Sequence, residues 1–396
     1  MIAGGGLGGL AAALFLRRAG VADVTVIEQN TGPSEIGAGI QVAPNAMRLL
    51  YRLGLRQALD AVAVPFEVAW EIRRWEDGRI LFEQRFGAEG EALFGAPYMT
   101  FHRGDLIGIL AAAVPEGVVE YGRAVVSVAD GKVVLADGST RDFDVLVGAD
   151  GIHSIVREAV VGPDQPEFTG LAAFRALVPA DEAPAFARRP VCSIWLGPGR
   201  HFVHYPVSGG RQINLVTAHP AGDWRTESWT APGEVSDFLA AFAGWAPDVL
   251  QLIGAARETK LYAFYSRPPI DRWVTDRVAL LGDAAHPMLP FFAQGAAMGF
   301  EDAAVLAKCL AGVEEPGVAA ALQRYAAVRR ERATRVQTMS GARREENHLP
   351  DGTEQEARDA AFAAEDPLGH NAWLYAHDVE AGLSPANQAA PRSATR

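Results

Sequence analysis

The chain has 396 residues, of which 49% are hydrophobic and 21% charged, and its formal net charge is −12. This composition excludes disorder as the dominant state, and the length allows one large or two medium domains. The acidic balance excludes a broad nucleic-acid-binding surface, because phosphate binding needs a concentrated positive field. The two cysteines, Cys192 and Cys309, are too few for a disulfide framework, which favours a reducing compartment.

The N-terminal apolar stretch does not have the order of a secretion signal. Residues 7–16 have no basic residue before them and are followed by Arg17 and Arg18, whereas a signal peptide carries its charge first. No uninterrupted apolar run reaches the roughly 18–20 residues that span a bilayer. We therefore expect a cytoplasmic protein without a membrane or nucleic-acid partner.

A strand, helix and strand follow one another at the start of the chain. Residues 1–3 are a short apolar strand, residues 10–19 are rich in helix formers, and residues 24–27 are a buried strand that ends at Glu28. The connecting turn is Gly4-Gly5-Gly6-Leu7-Gly8-Gly9, which contains the pattern Gly4-x-Gly6-x-x-Gly9. This arrangement is a β-α-β unit.

The chemistry of this unit is nucleotide binding. The glycines permit a tight turn and close backbone approach, and the helix N-terminus, beginning near Leu7, offers amides to a pyrophosphate. Glu28 can accept both ribose hydroxyls of an adenosine, which disfavours a 2′-phosphate and hence NADP at this site. The pattern alone does not separate FAD from NAD, and a flexible glycine-rich turn is the alternative.

Two more strands end in an aspartate. Residues 144–148 run into Asp150-Gly151, and residues 278–281 run into Gly282-Asp283. An aspartate at the carboxyl end of a strand is well placed to bind a polyol hydroxyl, such as the ribitol of a flavin. The segment around Asp150, taken alone, is equally consistent with a capped strand-turn-helix.

A predicted helix start at Gly295-Ala296 follows the third strand. Gly295 would let the backbone approach a planar ring, and the helix dipole favours negative charge on the N1–C2=O edge of a flavin. Glu301 and Asp302 suit the early turns of this helix. An ordinary loop with acidic capping is the alternative.

Residues 170–270 have a different pattern, in which short alternating runs at 191–196, 201–207 and 212–217 are separated by turn residues. This pattern favours an antiparallel sheet. We predict an α/β fold: a Rossmann-like dinucleotide-binding domain with a parallel sheet, an antiparallel-sheet substrate domain and C-terminal helices. The predicted dinucleotide-binding domain comprises residues 1–168 and 271–345, and residues around 65–100 within it form part of the substrate region. The predicted antiparallel-sheet substrate domain is residues 169–270. A helical extension at 346–383 and a flexible tail at 384–396 follow.

The three motifs in this order resemble the flavin-dependent aromatic hydroxylases of the para-hydroxybenzoate hydroxylase type, over roughly residues 1–345. Arg103, within His102-Arg103-Gly104-Asp105-Leu106, matches the flavin-contacting arginine of that family. The resemblance implies resident FAD and transient NADH or NADPH. It also implies reaction with O2 through a flavin C4a-hydroperoxide, whose terminal oxygen attacks an electron-rich ring.

Two segments resemble the salicylate, 3-hydroxybenzoate and 6-hydroxynicotinate hydroxylase branch. Residues 37–45 (GAGIQVAPN) place Gln41 and Val42 beside the cofactor, and residues 201–206 read HFVHYP. The resemblance implies that His201 and Tyr205 face the substrate ring. A base that takes the phenolic proton raises the rate, and we expect His201 in that role, with Tyr205 orienting the ring. A satisfied sheet histidine is the alternative.

The resemblance also implies substrate contacts at several other positions, and at some of them this chain has a different residue from its relatives. Cys192 resembles a pocket cysteine of the hydroxynicotinate enzymes, with an ordinary buried cysteine as the alternative. Gln41 stands where those enzymes carry a histidine, and Pro290 and Phe291 stand where relatives place polar contacts. Ala293 replaces a glycine that many relatives carry, so no single relative's substrate transfers directly.

The leading functional hypothesis is hydroxylation of a small phenolic or hydroxy-N-heteroaromatic acid, by a monomer or homodimer. Two alternatives remain open. One is a tailoring oxygenase or epoxidase of a larger polyketide or isoprenoid, and the other is a flavin reductase that does not oxygenate. No spacing of Cys, His and Asp predicts a metal site.

Overall fold

The computed structural model describes residues 1–33, 38–129, 131–228 and 230–383. Gly37 of the first branch segment and the predicted tail 384–396 lie outside the described residues. The strands of the described part, β1 to β19 in chain order, are Ile2–Ala3, Val26–Glu28, Gly39–Val42, Val64–Pro65, Val68–Arg74, Ile80–Arg85, Met99–His102, Val119–Tyr121, Val125–Ala129, Lys132–Leu135, Thr140–Asp142, Leu146–Gly148, Glu167–Pro179, Val191–Gly197, Arg200–Val207, Gln212–Pro220, Pro232–Gly233, Thr259–Ser266 and Val278–Leu280. The helices of the same part, α1 to α12, are Leu7–Arg18, Pro44–Arg52, Arg56–Asp60, Gly87–Phe94, Arg103–Ala113, Ile155–Val161, Val235–Ala241, Pro247–Gly254, Gly295–Leu310, Val318–Asn347, Thr353–Ala364 and Ala372–Tyr375.

A parallel five-stranded sheet organises the first half of the fold, in the order β19-β12-β1-β2-β8. Ala3 pairs with Gly148, and Gly148 pairs with Leu280, so the last residues of β1, β12 and β19 are in register. Because the carboxyl ends of parallel strands lie at one edge, the three predicted motifs emerge side by side. The strands are short, and the buried residues of α1 cover the sheet.

Two helices meet closely over this edge. The helices α1 and α9 approach each other at Gly8 and Gly299, where a Cβ on Gly299 would lie 3.9 Å from the Cα of Gly8. A Cβ on Gly8 would lie 2.7 Å from Leu281 at the end of β19. Small residues at this crossing therefore let α1, α9 and the end of β19 pack together.

The second half of the fold is an eight-stranded sheet in the order β17-β18-β13-β16-β15-β14-β5-β6. Its pairs are antiparallel apart from β14 and β5, which are parallel. The antiparallel pattern predicted for residues 170–270 is found, and β5 and β6, from an earlier part of the chain, extend that sheet at one edge. The predicted α/β fold class is confirmed.

The C-terminal helices pack on the core of the same chain. Tyr375 of α12 is fully buried, and its ring lies edge-on to Phe94 and Tyr98, with centroids 5.6 and 5.7 Å away. The Trp70 indole N–H donates to the Tyr375 hydroxyl at 3.2 Å. These contacts fix residues 372–375 against the sheet that carries Trp70.

Among the described residues, no helix combines the length and apolar character that a bilayer-crossing segment needs.

Candidate active site

The first motif is fixed by contacts with the second and third motifs. Gly4 has a φ of +101°, and a Cβ there would lie 2.3 Å from the carbonyl oxygen of Ala149. A Cβ on Gly9 would lie 1.9 Å from the carbonyl oxygen of Gly4. Gly6 differs, since nothing lies within 4 Å of its Cβ position. Gly4 and Gly9 are therefore required by packing, whereas Gly6 leaves open space above the turn.

The N-terminus of α1 is available to an anion. Gly6 is its N-cap residue and supplies no side-chain hydrogen bond, so the first-turn N–H groups lack side-chain partners from the cap. The Glu28 carboxylate accepts hydrogen bonds from the backbone N–H of Gly5 at 2.6 Å and of Asn30 at 2.7 Å. Glu28 thus holds the glycine turn, and its predicted contact with an adenosine ribose stays a prediction.

The second motif links the first to the third. The Asp150 carboxylate accepts from the backbone N–H of Ile155 at 2.8 Å, at the start of α6, and the Ser154 hydroxyl accepts from the N–H of Arg157 at 2.8 Å. The buried Arg157 guanidinium donates to the carbonyl oxygens of Ala284 at 3.0 Å and Ala285 at 3.2 Å. Asp150 therefore caps α6, and Arg157 secures the turn that carries Asp283.

A buried ionic network holds the third motif, and it corrects one expectation. Glu301 and Asp302 lie in the middle of α9, fully buried, instead of in its first turns. Arg329 of α10 donates to Asp302 and to Glu301, each at 2.7 Å. Asp302 also accepts from the backbone N–H of Gly282 at 3.0 Å and contacts the His286 ring at 2.5 Å. The acidic pair therefore fixes the Gly282-Asp283 turn, a role that spacing alone did not reveal.

One cavity of about 410 Å³ lies where the three strand ends meet the large sheet. Most of the predicted site residues form its wall, namely Gly6, Leu7, Gln41, Arg103, His201, Tyr205, Asp283, Pro290, Phe291, Gly295 and Ala296. The other predicted site residues do not line it, namely Gly4, Gly9, Glu28, Val42, Asp150 and Cys192. The structure thus joins the predicted cofactor residues and the predicted substrate residues in one space.

The cavity has a polar end near the parallel sheet. Asp283 lines the cavity. Burial within the protein raises the pKa of its carboxyl group, whereas the nearby His286 and Arg103 lower it. Burial lowers the pKa of Arg103, and it lowers the pKa of Arg175 to about 10, so both guanidinium groups stay charged at neutral pH. Arg175 of β13 lies in the cavity wall, as Arg103 does. An acidic protein therefore presents two positive charges at this site.

The opposite wall is built by β15. His201, Val203 and Tyr205 line the cavity, and His204 packs on the other side of the sheet against aromatic rings such as Phe186, 5.4 Å away. The Nδ1 atom of His201 lies 2.8 Å from Nε2 of His348, and burial lowers the pKa of His201 well below its usual value. His201 is therefore neutral at pH 7, as a proton acceptor must be.

Tyr205 belongs to a cluster of polar groups at the end of this wall. The Tyr98 hydroxyl donates to Oε1 of Gln41 at 3.0 Å, and burial raises the pKa of Tyr205. Cys192 is fully buried behind the wall, and burial raises the pKa of its thiol, which favours the neutral thiol over a nucleophilic thiolate. Gln41, which is predicted beside both the cofactor and the substrate, lines the cavity and accepts this hydrogen bond.

The wall and partner residues that were not predicted include Trp70, Tyr98, Tyr262 and His348. Trp70 and Tyr262 line the cavity from β5 and β18, and His348 follows α10. No short motif contains them, because each reaches the site through the pairing of distant strands or helices. Predicting these residues would have required knowledge of the sheet order and of where α10 packs.

The residues present fit a flavin dinucleotide. The cradle leaves open space at Gly6, the α1 N-terminus without a side-chain cap would be available to a pyrophosphate, and Asp283 and Gly295 at the start of α9 line the cavity. Asp283 would hold the ribitol hydroxyls, and the α9 N-terminus would face the ring.

Comparison with known proteins agrees with this fit. The family described as FAD binding domain matches residues 1–340. The chain is 41% identical over 383 residues to 3-amino-4-hydroxybenzoate 2-monooxygenase of Streptomyces platensis, covering 96% of each protein. It is 38% identical over 345 residues to 6-hydroxynicotinate 3-monooxygenase of Pseudomonas fluorescens, covering 86% of this chain and 89% of the relative.

A solved structure of a salicylate hydroxylase substrate complex superposes with a TM-score of 0.81 at 29% identity, covering 96% of this chain and 95% of that chain. The family match spans the glycine turn, the substrate wall at β15 and the Asp283 turn. The chain therefore belongs to the FAD binding domain family, among its flavoprotein aromatic hydroxylases.

Proposed function

We propose that this protein is an FAD-dependent monooxygenase that hydroxylates a small phenolic or hydroxy-N-heteroaromatic acid, with NADH or NADPH and O2 as co-substrates. One observation carries the proposal: His201 and Tyr205 of β15 face the same cavity as Asp283 and Gly295. When bound, FAD supplies hydride acceptance and oxygen activation. The side chains of this chain supply binding, orientation, proton transfer and exclusion of water.

The size and charge of the cavity support a small anionic substrate. Its volume of about 410 Å³ is near the lower end of the roughly 300–1,000 Å³ usual for small-molecule sites, and it must hold the flavin ring as well. Arg175 offers a positive charge to a carboxylate within a mostly apolar wall. These features favour an aromatic acid over a polyketide or isoprenoid.

The proton chemistry follows from burial. A phenol becomes a better nucleophile when its proton is removed, and neutral His201 can accept that proton at its cavity-facing nitrogen. Tyr205, whose pKa is raised, stays protonated and can donate a hydrogen bond to a ring oxygen or a carboxylate. Phe291 and its neighbours Leu289 and Pro290 form an apolar side of the cavity that limits water.

The first substrate to test is 3-amino-4-hydroxybenzoate. Two relatives from Streptomyces platensis that are named for it match 96% of this chain at 41% identity. Gln41 also departs from the histidine expected of hydroxynicotinate enzymes. Salicylate, 3-hydroxybenzoate and 6-hydroxynicotinate complete the panel.

The experiment mixes the purified yellow protein with NADH or NADPH and each acid under ¹⁸O2. We expect one acid to accelerate nucleotide oxidation at least tenfold and to gain one ¹⁸O atom, detected by mass spectrometry. Nucleotide oxidation that yields only hydrogen peroxide with every acid would instead support a reductase. Absence of any oxygenated aromatic product would overturn the proposal.

A further inference from the structure

The longest helix of the fold ends at the substrate side of the cavity. Asn347, the last residue of α10, lines the cavity, and His348 follows it. The His348 carbonyl oxygen accepts from the backbone N–H of Gly199 at 3.0 Å, in the turn that joins β14 to β15. His348 is therefore fixed to the same hairpin that carries His201.

The two histidines are joined ring to ring. The 2.8 Å contact uses Nδ1 of His201 and Nε2 of His348, which leaves Nε2 of His201 as the nitrogen for a substrate in the cavity. Phe291 packs edge-on to His201, with centroids 5.0 Å apart, and lies 6.0 Å from His348. The shared contact restrains both rings, so the orientation of His201 depends on His348.

Neither imidazole holds an extra proton at neutral pH. Burial, together with His348 and His219, lowers the pKa of His201, and burial, together with Arg344 and Arg200, lowers the pKa of His348 to about 4. Two neutral imidazoles in contact share one proton, which one ring donates and the other accepts. His201 is buried, whereas His348 is partly exposed, so the pair connects the cavity with solvent.

We propose that His348 is a positioning residue that relays the substrate proton out of the cavity through His201. The substrate hydroxyl gives its proton to Nε2 of His201, Nδ1–H of His201 passes to Nε2 of His348, and His348 releases its Nδ1 proton to water. One proton leaves the substrate and one reaches solvent, so the two rings exchange tautomers without gaining charge. This inference rests on the proposed function and names a residue that acts on it from outside the cavity wall.

The test replaces His348 by glutamine, which keeps a polar group near the Nε2 position and cannot relay a proton. We expect H348Q to retain FAD and the KM for the aromatic acid, while kcat at pH 7 falls at least tenfold. The loss should diminish as the pH rises, because the substrate then ionises without the relay. H348N serves as a second variant, and H204Q, on the other face of β15, is the control expected to keep the wild-type pH profile.

A binding measurement separates this inference from the proposed function. The probe is 4-hydroxy-3-nitrobenzoate, whose phenolate absorbs visible light, mixed rapidly with oxidised wild-type or H348Q protein without nicotinamide nucleotide. We expect the bound phenolate to form at least tenfold faster in the wild-type protein than in H348Q, with the same final absorbance. Equal rates of phenolate formation in both proteins, or a loss of kcat in H348Q that is constant with pH, would overturn the relay. Absence of hydroxylated product from the wild-type protein with normal probe ionisation would overturn only the proposed function.

Discussion

The two sides of the cavity are built by different means. The cofactor side is backbone: three parallel strands end in register, and the glycines at positions 4 and 9 leave no room for a Cβ. The substrate side consists of side chains that distant strands bring together, such as His201 and Trp70, with His348 after α10 in contact with His201. A backbone site depends on local sequence, whereas a side-chain site depends on tertiary pairing. Substitutions on the two sides should therefore fail in different ways.

The largest effect is expected beneath the cofactor side. Arg329→Met would leave Asp302 buried with only its His286 ion-pair contact and Glu301 with only Arg332, at a cost of about 3–5 kcal/mol in the free energy of unfolding. Denaturant titration of the holoenzyme measures this. The neighbouring Arg330 is exposed, so Arg330→Met should change stability by less than about 0.5 kcal/mol. Equal effects of the two variants would contradict the proposed importance of the network.

The glycine turn gives the next effect. Gly4→Ala combines a φ of +101° with a 2.3 Å contact to a backbone oxygen, so we expect a loss of about 3 kcal/mol in stability and little bound FAD. FAD absorbance per protein and denaturant titration report both. Gly108→Ala is the control, since its Cβ meets nothing within 4 Å inside α5, and it should gain about 0.5–1 kcal/mol. Normal FAD content in Gly4→Ala would show that the cradle tolerates a shift.

The substrate side should lose rate and keep its cofactor. His201→Gln removes the base that faces the cavity, and we expect turnover to fall about a hundredfold with FAD content unchanged. Steady-state kinetics with the best acid, beside the flavin spectrum, measures this. His204→Gln on the same strand should keep the wild-type rate. Parallel loss of FAD and turnover in His201→Gln would instead indicate a structural histidine.

Acid should weaken the network beneath the cofactor side. Burial alone would raise the pKa of Asp302, but His286 and Arg329 lower it to about 2, from an unfolded value near 3.8. A folded pKa below the unfolded one contributes stability that is present above about pH 4 and is lost as the pH falls toward 2. We expect this carboxyl group to account for about 2 kcal/mol of that loss in urea titrations at pH 5 and pH 2.5. A stability that stays constant over this interval would contradict the assignment.

The smallest effect concerns Ala293, just before α9. Its φ of +51° and ψ of +36° are left-handed, a conformation that costs a residue with a Cβ roughly 1–2 kcal/mol. Ala293→Gly should therefore raise stability by about 1 kcal/mol and leave the FAD spectrum unchanged, as thermal unfolding of the holoenzyme would show. Ala326→Gly inside α10 is the matched control and should lower stability by about 1 kcal/mol. A loss of stability in Ala293→Gly would contradict the strain.

Sequence patterns predicted the cofactor side more fully than the substrate side. The glycine turn, Asp283 and the start of α9 could be found because each motif follows a strand, and parallel strand ends converge. Strand alternation placed His201 and Tyr205 on one face. Alternation could not supply His348, Trp70 or Tyr98, because nothing local specifies which distant element covers that face. The burial of Glu301 and Asp302 was missed for the same reason, since their partner Arg329 lies on another helix.

The helix α10 fixes the direction in which residues at its end point relative to residues in its middle, and these two positions serve the two sides of the site. Arg329 engages the network under the Asp283 turn, and His348, at the end of the same helix, meets His201. At about 1.5 Å per residue the two positions are roughly 28 Å apart along a continuous axis. Insertion or deletion of one residue between them would rotate the end of the helix by about 100°, turning His348 away while Arg329 keeps its partners. The number of residues between Arg329 and His348 is therefore constrained. A homologue with a different spacing must place another group against the histidine of its substrate side.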